Sequence, residues 1–116
     1  MKKIAIIDSH HHLWDLDSKE THYPWLSGNE EKAFYGSFKS IKKNYLLDDY
    51  LNDAKNQNLV KSIHVQAEHD AMNPIEETKW LQNISDNSNL KIPNGIVAFA
   101  DFSKEKVSEV LDQHLE

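Results

Sequence analysis

The alternation of hydrophobic and polar residues along the chain predicts three β-strands. Residues 4–7 form a short continuous apolar run of mostly branched side chains, which is typical of a strand buried on both faces. Residues 60–67 alternate instead, so Ile63 and Val65 share one face of a strand and the polar residues between them share the other. A third apolar run covers residues 95–101 and ends on a carboxylate.

A segment with helical spacing follows each predicted strand. The first helix is expected near residues 48–57, and the third is expected to start at Ser103. The second is the best specified, because Asn73 is a plausible N-cap, Pro74 suits the first helical position, and Glu76 lies where a capping-box carboxylate reaches back. This order predicts an α/β fold with parallel strands and right-handed crossovers. Periodicity alone leaves open whether the sheet is open or part of a barrel.

The segment that joins the first strand to its helix, residues 13–43, is far longer than an ordinary βα loop. It is either a disordered insertion or a folded lid, and its aromatic content favours the lid. The aromatic residues within it are Trp14, Tyr23, Trp25, Phe34, Tyr35 and Phe38.

Composition narrows the range of functions. The 116 residues suffice for one modest domain, and the mean hydropathy is −0.70. The net charge is −6 and all 13 basic residues are lysine, so a nucleic-acid partner is not expected. No cysteine is present, which excludes disulfides and thiolate metal sites. The first residues contain no apolar stretch long enough for a signal peptide or a membrane span, so we expect a cytoplasmic protein without membrane partners.

Three consecutive histidines follow the first predicted strand. On an extended backbone, Asp8, His10 and His12 point to one side, whereas Ser9 and His11 point to the other. His10 and His12 would then converge just past the carboxyl end of the strand, where α/β folds bind ligands. Neutral imidazole is a good zinc ligand, so the pair predicts two ligands of one ion. The same spacing also fits loop histidines without a ligand.

Four motifs together resemble a known family. They are "IDSHHHLWD", "THYPWL", "DYLNDAKNQNLVKSIHVQAEHDAMNPIEETKWLQ" and "GIVAFADF", and the resemblance runs from Ile6 to about Leu115. Their order and spacing resemble the N-terminal part of the amidohydrolase-related family of metal-dependent hydrolases, in the branch of sugar-acid lactonases and 2-pyrone-4,6-dicarboxylate lactonase. The resemblance implies that residues 1–116 are an incomplete TIM-barrel domain, namely the first three βα units of a (β/α)₈ barrel.

The resemblance also implies a mechanism. His10 and His12 match the family's metal-binding pair, and a divalent ion there, zinc above all, would polarise a lactone carbonyl and lower the pKa of water. Members of the family differ in whether they need the metal, so the two histidines could instead bind the substrate directly. The general base is expected beyond residue 116. We therefore expect a fragment of a lactone hydrolase that is inactive alone.

Several residues are candidates for substrate contacts. The polar candidates could instead belong to an ordinary solvated loop, and the aromatic candidates could instead anchor the long segment. The candidates are Gln66, Glu68, His69, Trp14, Tyr23 and Trp25.

Two other polar residues are open to a structural and a functional interpretation. His64 faces the barrel interior if Ile63 and Val65 face the helices, and we expect a packed, hydrogen-bonded histidine there. Asp101 ends the third strand, where it either takes part in chemistry or caps the following helix.

The expected ligand is a small molecule. The absence of arginine favours a neutral sugar lactone over a dicarboxylate. A homo-oligomer is possible. Two other classes stay open: a small complete module in which the histidine pair holds a structural ion, and an assembly piece that completes its sheet with another chain. The genomic sequence after residue 116 would discriminate them, since an open frame with further histidines supports the enzyme and a stop codon supports a module.

Overall fold

The computed structural model describes residues 2–29 and 32–116. Its central sheet consists of β1 (Ile6–His11), β4 (Leu59–Val65) and β5 (Gly95–Val97), in that spatial order. Both pairings are parallel, so the predicted α/β arrangement with a parallel sheet is confirmed. Two short strands, β2 (Lys32–Ala33) and β3 (Gly36–Ser37), form a separate antiparallel hairpin.

Helices alternate with the three parallel strands as predicted. In the described part of the chain these are α2 (Leu47–Asp53), α3 (Pro74–Asn87) and α4 (Val107–Leu115), and the long connection contains a further short helix, α1 (Pro24–Ser27). Among the residues that the structure describes, no helix is both long enough and apolar enough to cross a membrane.

The ends of the helices differ from the sequence prediction in two places. Helix α3 begins at Pro74 as predicted, but the predicted capping box is wrong because the Asn73 side chain donates to Asp70 Oδ2 at 3.1 Å. Helix α4 begins after Ser103, since Asp101 Oδ1 accepts hydrogen bonds from the Ser103 backbone N–H and hydroxyl and holds a turn there. Asp101 therefore does not cap helix α4, whose N-cap is Lys106, and it stabilises the turn that precedes the helix.

Helices α2 and α3 pack on one face of the sheet. The buried core there contains Leu13, Tyr50 of α2, and Trp80 and Leu81 of α3. Leu59 and Ile96 from the strands, together with the buried Ile92, complete it. Burial of this apolar surface is the main force that holds the helices against the strands.

The opposite face of the sheet is open. Ile7 is 60% exposed and Val97 is 51% exposed, whereas Ile63 and Val65 between them are half-buried. The prediction that residues 4–7 are buried on both faces is therefore wrong. Within the described part of the chain, the helices cover only one face and β1 pairs with β4 alone, so β1 is an edge strand.

His64 lies on the side of the helices. Its side chain has 0% exposure, and its ring is 5.4 Å from that of His11, which stacks on Tyr50 of α2 at 4.2 Å. The condition under which His64 would face the barrel interior, namely that Ile63 and Val65 face the helices, is thus not met, because Ser62 and His64 lie on the side of β4 that the helices cover. The expectation of a hydrogen-bonded core histidine is confirmed, since Leu13 N–H donates to His64 Nε2 at 2.9 Å.

The long connection 13–43 is folded in its described residues. Besides α1 and the β2–β3 hairpin it contains a 3₁₀ turn at Lys39–Ile41, and Tyr23, Leu26 and Phe38 are buried. This excludes the disordered alternative for residues 13–29 and 32–43. Phe34 and Tyr35, at the tip of the hairpin, are exposed.

Candidate metal and substrate site

His10 and His12 meet at the carboxyl end of β1. Their Nε2 atoms are 3.2 Å apart, and their rings lie edge to face with centroids 5.0 Å apart. His10 is exposed and His12 is half-buried. The two imidazoles therefore converge at the end of the strand, as the sequence predicted.

A bulge in β1 determines which side chains accompany this pair. Asp8 is opposite Ser62 and His11 is opposite His64. Between these two pairs β1 advances by three residues and β4 by two, so β1 contains one extra residue. Because of the extra residue, Asp8 shares a side with His11, and its Oδ2 accepts a hydrogen bond from the Tyr50 hydroxyl at 2.8 Å. The prediction that Asp8 points the same way as His10 and His12 is therefore wrong.

The backbone of β4 fixes the protonation pattern of the His12 ring. His12 Nδ1 is 2.8 Å from the Val65 carbonyl oxygen, and a carbonyl can only accept, so Nδ1 carries the proton. The Nε2 lone pair of neutral His12 is then directed at His10. Such a bond from the distal ring nitrogen to a backbone carbonyl is the usual support of a metal-bound histidine.

The two Nε2 atoms are within hydrogen-bond distance of each other, and their separation is comparable with that of two corners of a tetrahedral metal site. Nitrogens bound at about 2.0–2.1 Å to a tetrahedral zinc ion lie about 3.3–3.4 Å apart, close to the 3.2 Å between the two Nε2 atoms. Among residues 2–29 and 32–116, however, no group of three histidine or acidic side chains could hold one metal ion. The pair alone would thus supply two of the four ligands of a tetrahedral ion.

His11 and His64 form a buried imidazole pair beside the site. Desolvation lowers the pKa of His11 to about 4 and that of His64 to about 3. Both ring nitrogens of His11 and the Nδ1 of His64 are buried with no hydrogen-bond partner. Burial also raises the pKa of the Tyr50 hydroxyl that contacts Asp8. These groups face the helices and stay neutral at physiological pH.

Of the aromatic candidates for substrate contacts, Trp14 is the one that lies beside the histidine pair. Its ring is nearly parallel to that of His12, with centroids 6.4 Å apart, and its Nε1 donates to the Lys43 carbonyl. With its N–H engaged, Trp14 can offer a ligand only its apolar surface. A groove of about 370 Å³ opens here, lined by His12, Trp14, Ile41, Lys43, Tyr45 and Asp53.

Tyr23 and Trp25 anchor the long segment to the carboxyl end of β4. Tyr23 is 1% exposed and its hydroxyl donates to Glu77 Oε2 at 2.9 Å. Trp25 is half-buried and its Nε1 donates to the Ala67 carbonyl at 2.9 Å. Trp25 also contacts Trp14 edge to face, with centroids 5.7 Å apart. Tyr23 and Trp25 thus anchor the long segment, and Trp25 lies beside Trp14.

Glu77 is an important residue that our sequence analysis missed. It is 4% exposed in α3, and its Oε2 accepts from both the Tyr23 hydroxyl and the Ala67 backbone N–H. Burial raises the pKa of the Glu77 carboxyl, although the two donors oppose that shift. The sequence did contain an indication of this role. Glu77 lies three residues before Trp80 and four before Leu81, so its carboxylate is on the apolar side of the helix.

The remaining candidates lie in the loop after β4, where Gln66 and Glu68 bind each other. The Gln66 amide donates to Glu68 Oε1 at 3.0 Å, and the Glu68 backbone N–H donates to Gln66 Oε1 at 2.8 Å. Glu68 has a left-handed backbone with φ of 57°, which is uncommon outside glycine. His69 is half-buried, with its ring 5.4 Å from that of Tyr23.

Comparison with known proteins gives a relative without an assigned function. No protein-family model matches the chain, and no solved structure matches it. A protein of Sinorhizobium fredii (strain NBRC 101917 / NGR234), described as uncharacterized protein y4mH, is 48% identical over all 116 residues. The chain spans 38% of the length of that relative, which is therefore about 300 residues long.

Proposed function

We propose that residues 1–116 are the first three βα units of a (β/α)₈ metal-dependent hydrolase of the amidohydrolase-related family, acting on a lactone such as a sugar-acid 1,4-lactone. The observation that carries the proposal is the convergence of His10 Nε2 and His12 Nε2 to 3.2 Å at the carboxyl end of the first parallel strand. Active sites of (β/α)₈ enzymes lie at that end of the barrel.

The architecture supports this proposal. Parallel strands that neighbour one another in chain order, with α2 and α3 on one face, are what the first part of a (β/α)₈ barrel requires. The open apolar face with Ile7 and Val97 would then be the barrel interior. A relative of about 300 residues has the length of such a barrel.

The chemistry follows from the residues at the strand end. A divalent ion bound by His10 and His12 would polarise a lactone carbonyl and make water more acidic. The Val65 carbonyl orients His12 for that role, and Trp14 provides an apolar wall for the substrate ring. His11 and His64 face the helices and do not reach the substrate. The general base would come from a later strand.

Zinc titration tests the metal pair directly. Isothermal titration calorimetry with zinc chloride should detect binding to the chain and a loss of at least tenfold in affinity for His10→Ala and for His12→Ala, because each substitution removes one ligand. His22→Ala is the matched control, since His22 is an exposed histidine outside the pair. Wild-type zinc affinity in the His10→Ala/His12→Ala double variant would refute the pair as the ligands.

Turnover is tested in the full product of the gene. Hydrolysis of sugar-acid 1,4-lactones releases acid, which a pH indicator follows in weak buffer. We expect the double variant to lose most of the wild-type rate and His22→Ala to retain it. A double variant with an intact rate would refute the catalytic role of the pair.

A metal-binding or assembly module is the second candidate function. The observation in its favour is the exposed apolar face of the sheet with Ile7 and Val97, which another chain could cover. Zinc binding without any lactone turnover in the full gene product would favour this module over the hydrolase.

A further inference from the structure

The His64 side chain accepts a hydrogen bond from the chain directly after the histidine pair. Leu13 follows His12 and has 0% exposure, so its backbone N–H needs an acceptor inside the protein. The described pairing of β1 with β4 ends at His11 opposite His64. Beyond that point the acceptor is a side chain, because the Leu13 N–H donates to His64 Nε2 at 2.9 Å. The His64 imidazole thus joins the two segments where their backbone pairing stops.

A second hydrogen bond joins the same two segments in the opposite sense. His12 Nδ1 donates to the Val65 carbonyl oxygen at 2.8 Å. Each of the two bonds pairs an imidazole of one segment with a backbone group of the other. Because Leu13 is the next residue after His12, a fixed Leu13 N–H limits where the His12 ring can lie. The two bonds together direct His12 Nε2 at His10.

The position and tautomer of the His64 ring follow from its contacts. A backbone N–H can only donate, so His64 Nε2 carries a lone pair and the proton of the neutral ring is on Nδ1. The ring has 0% exposure and lies edge to face against His11 at 5.4 Å and His12 at 6.0 Å between centroids, so packing prevents it from turning. An apolar side chain could fill the same space, but it would leave the Leu13 N–H without its acceptor.

We propose that His64 is the positioning residue of the His10–His12 pair, because its Nε2 holds the Leu13 backbone and thereby the direction of the His12 ring. The inference rests on the metal pair of the proposed function and adds the residue that controls the geometry of that pair. His64 lies on the side of the helices, so it acts through Leu13 and His12. Residues that orient metal-binding side chains typically change metal affinity by about 10–100-fold when they are replaced.

Nitrogen-15 NMR of the histidine rings in EDTA tests the proposal without a metal. In the wild type, His12 and His64 should each show the Nδ1–H tautomer with an unprotonated Nε2. In His64→Leu we expect a mixture of tautomers for His12, because the Leu13 N–H loses its acceptor and the bond from His12 to Val65 loosens. His64→Gln should restore the single tautomer, since its amide oxygen can accept the same N–H. Ser62→Ala is the matched control, because Ser62 is also on the covered side of β4 with 0% exposure.

Zinc titration of the same variants measures the consequence for the pair. We expect His64→Leu to lose at least about tenfold in zinc affinity and His64→Gln to recover most of that loss. Ser62→Ala should bind zinc as the wild type does. Far-UV circular dichroism of each variant checks that the fold is retained.

The outcomes separate this proposal from the proposed function. A folded His64→Leu variant with a single His12 tautomer and wild-type zinc affinity would overturn the positioning role and leave the metal pair intact. Equal losses in His64→Leu and His64→Gln would overturn it too, because packing alone would then explain them. A protonated Nε2 on wild-type His64 would overturn it without any variant, which keeps the test decisive if His64→Leu does not fold. Absence of zinc binding in the wild type would overturn the metal pair, and the tautomers would still decide whether His64 orients His12.

Discussion

A single extra residue in β1 decides which side chains form the candidate site. Strict alternation predicted that His10 and His12 lie together and that His11 points away, and both statements hold. Alternation failed for Asp8, because the bulge between Asp8 and His11 moves the carboxylate to the side of Tyr50. A bulge depends on pairing with β4, so the sequence of β1 alone does not indicate it.

The buried imidazoles predict acid sensitivity. In the unfolded chain, histidine binds a proton near pH 6.5, whereas the folded-state pKa values are about 4 for His11 and about 3 for His64. As the pH falls below about 6.5, the unfolded state gains protons that the folded state does not. The free energy of unfolding should then fall by about 1.4 kcal/mol per pH unit for each histidine until the folded-state pKa is reached.

His11→Phe tests this dependence. Phenylalanine can keep the stacking on Tyr50 and does not titrate, so in urea denaturation between pH 7 and pH 4.5 this variant should lose about half of the pH dependence that the two histidines cause. His22→Phe is the control, because His22 is exposed. An unchanged pH dependence in His11→Phe would show that His11 is not the buried neutral group described above.

At the scale of elements, α3 holds the long aromatic segment through a buried carboxylate. Glu77 accepts from Tyr23 of the segment and from Ala67 after β4, so one side chain joins three parts of the chain. The sequence indicated that the segment is aromatic, but the partner of Tyr23 is 54 residues away and follows only from the fold.

Tyr23→Phe should loosen that attachment. The substitution removes one donor and leaves the buried Glu77 carboxylate with the Ala67 N–H, at a cost of about 1–3 kcal/mol in the free energy of unfolding. Amide exchange should accelerate in residues 13–29 more than in β4. Tyr45→Phe is a matched control, since the Tyr45 hydroxyl binds the exposed Asp53 and its loss costs less. Equal effects in the two variants would contradict an anchoring role for the Tyr23–Glu77 bond.

The order of the elements could be predicted from the sequence, whereas the faces of the strands could not. Alternation in β4 separates Ile63 and Val65 from Ser62 and His64, but it does not say which set lies beneath the helices. Hydrophobicity favoured the first set, and the structure buries the second, with both Ser62 and His64 at 0% exposure. That choice depends on the pairing of β4 with β1 and on Tyr50 of α2, which are contacts between distant parts of the chain.

At the scale of the whole molecule, the sheet is covered on one side and open on the other. The covered side holds the core with Leu13 and Leu81 at 0% exposure, and the open side presents Ile7 and Val97. Substitutions on the covered face should therefore lower the free energy of unfolding much more than substitutions on the open face. Exposed apolar faces of this kind are typical of surfaces through which proteins contact other molecules.

Leu81→Ala and Ile7→Thr test that asymmetry. Leu81→Ala leaves a cavity in the core and should lower the free energy of unfolding by about 2–5 kcal/mol. Ile7→Thr changes a side chain that is 60% exposed, so its effect on stability should stay within about 0.5 kcal/mol. The same variant should bind less of the dye ANS, which reports exposed apolar surface. If urea denaturation gave equal losses for the two variants, the Ile7 face would be covered in solution and the one-sided sheet would be wrong.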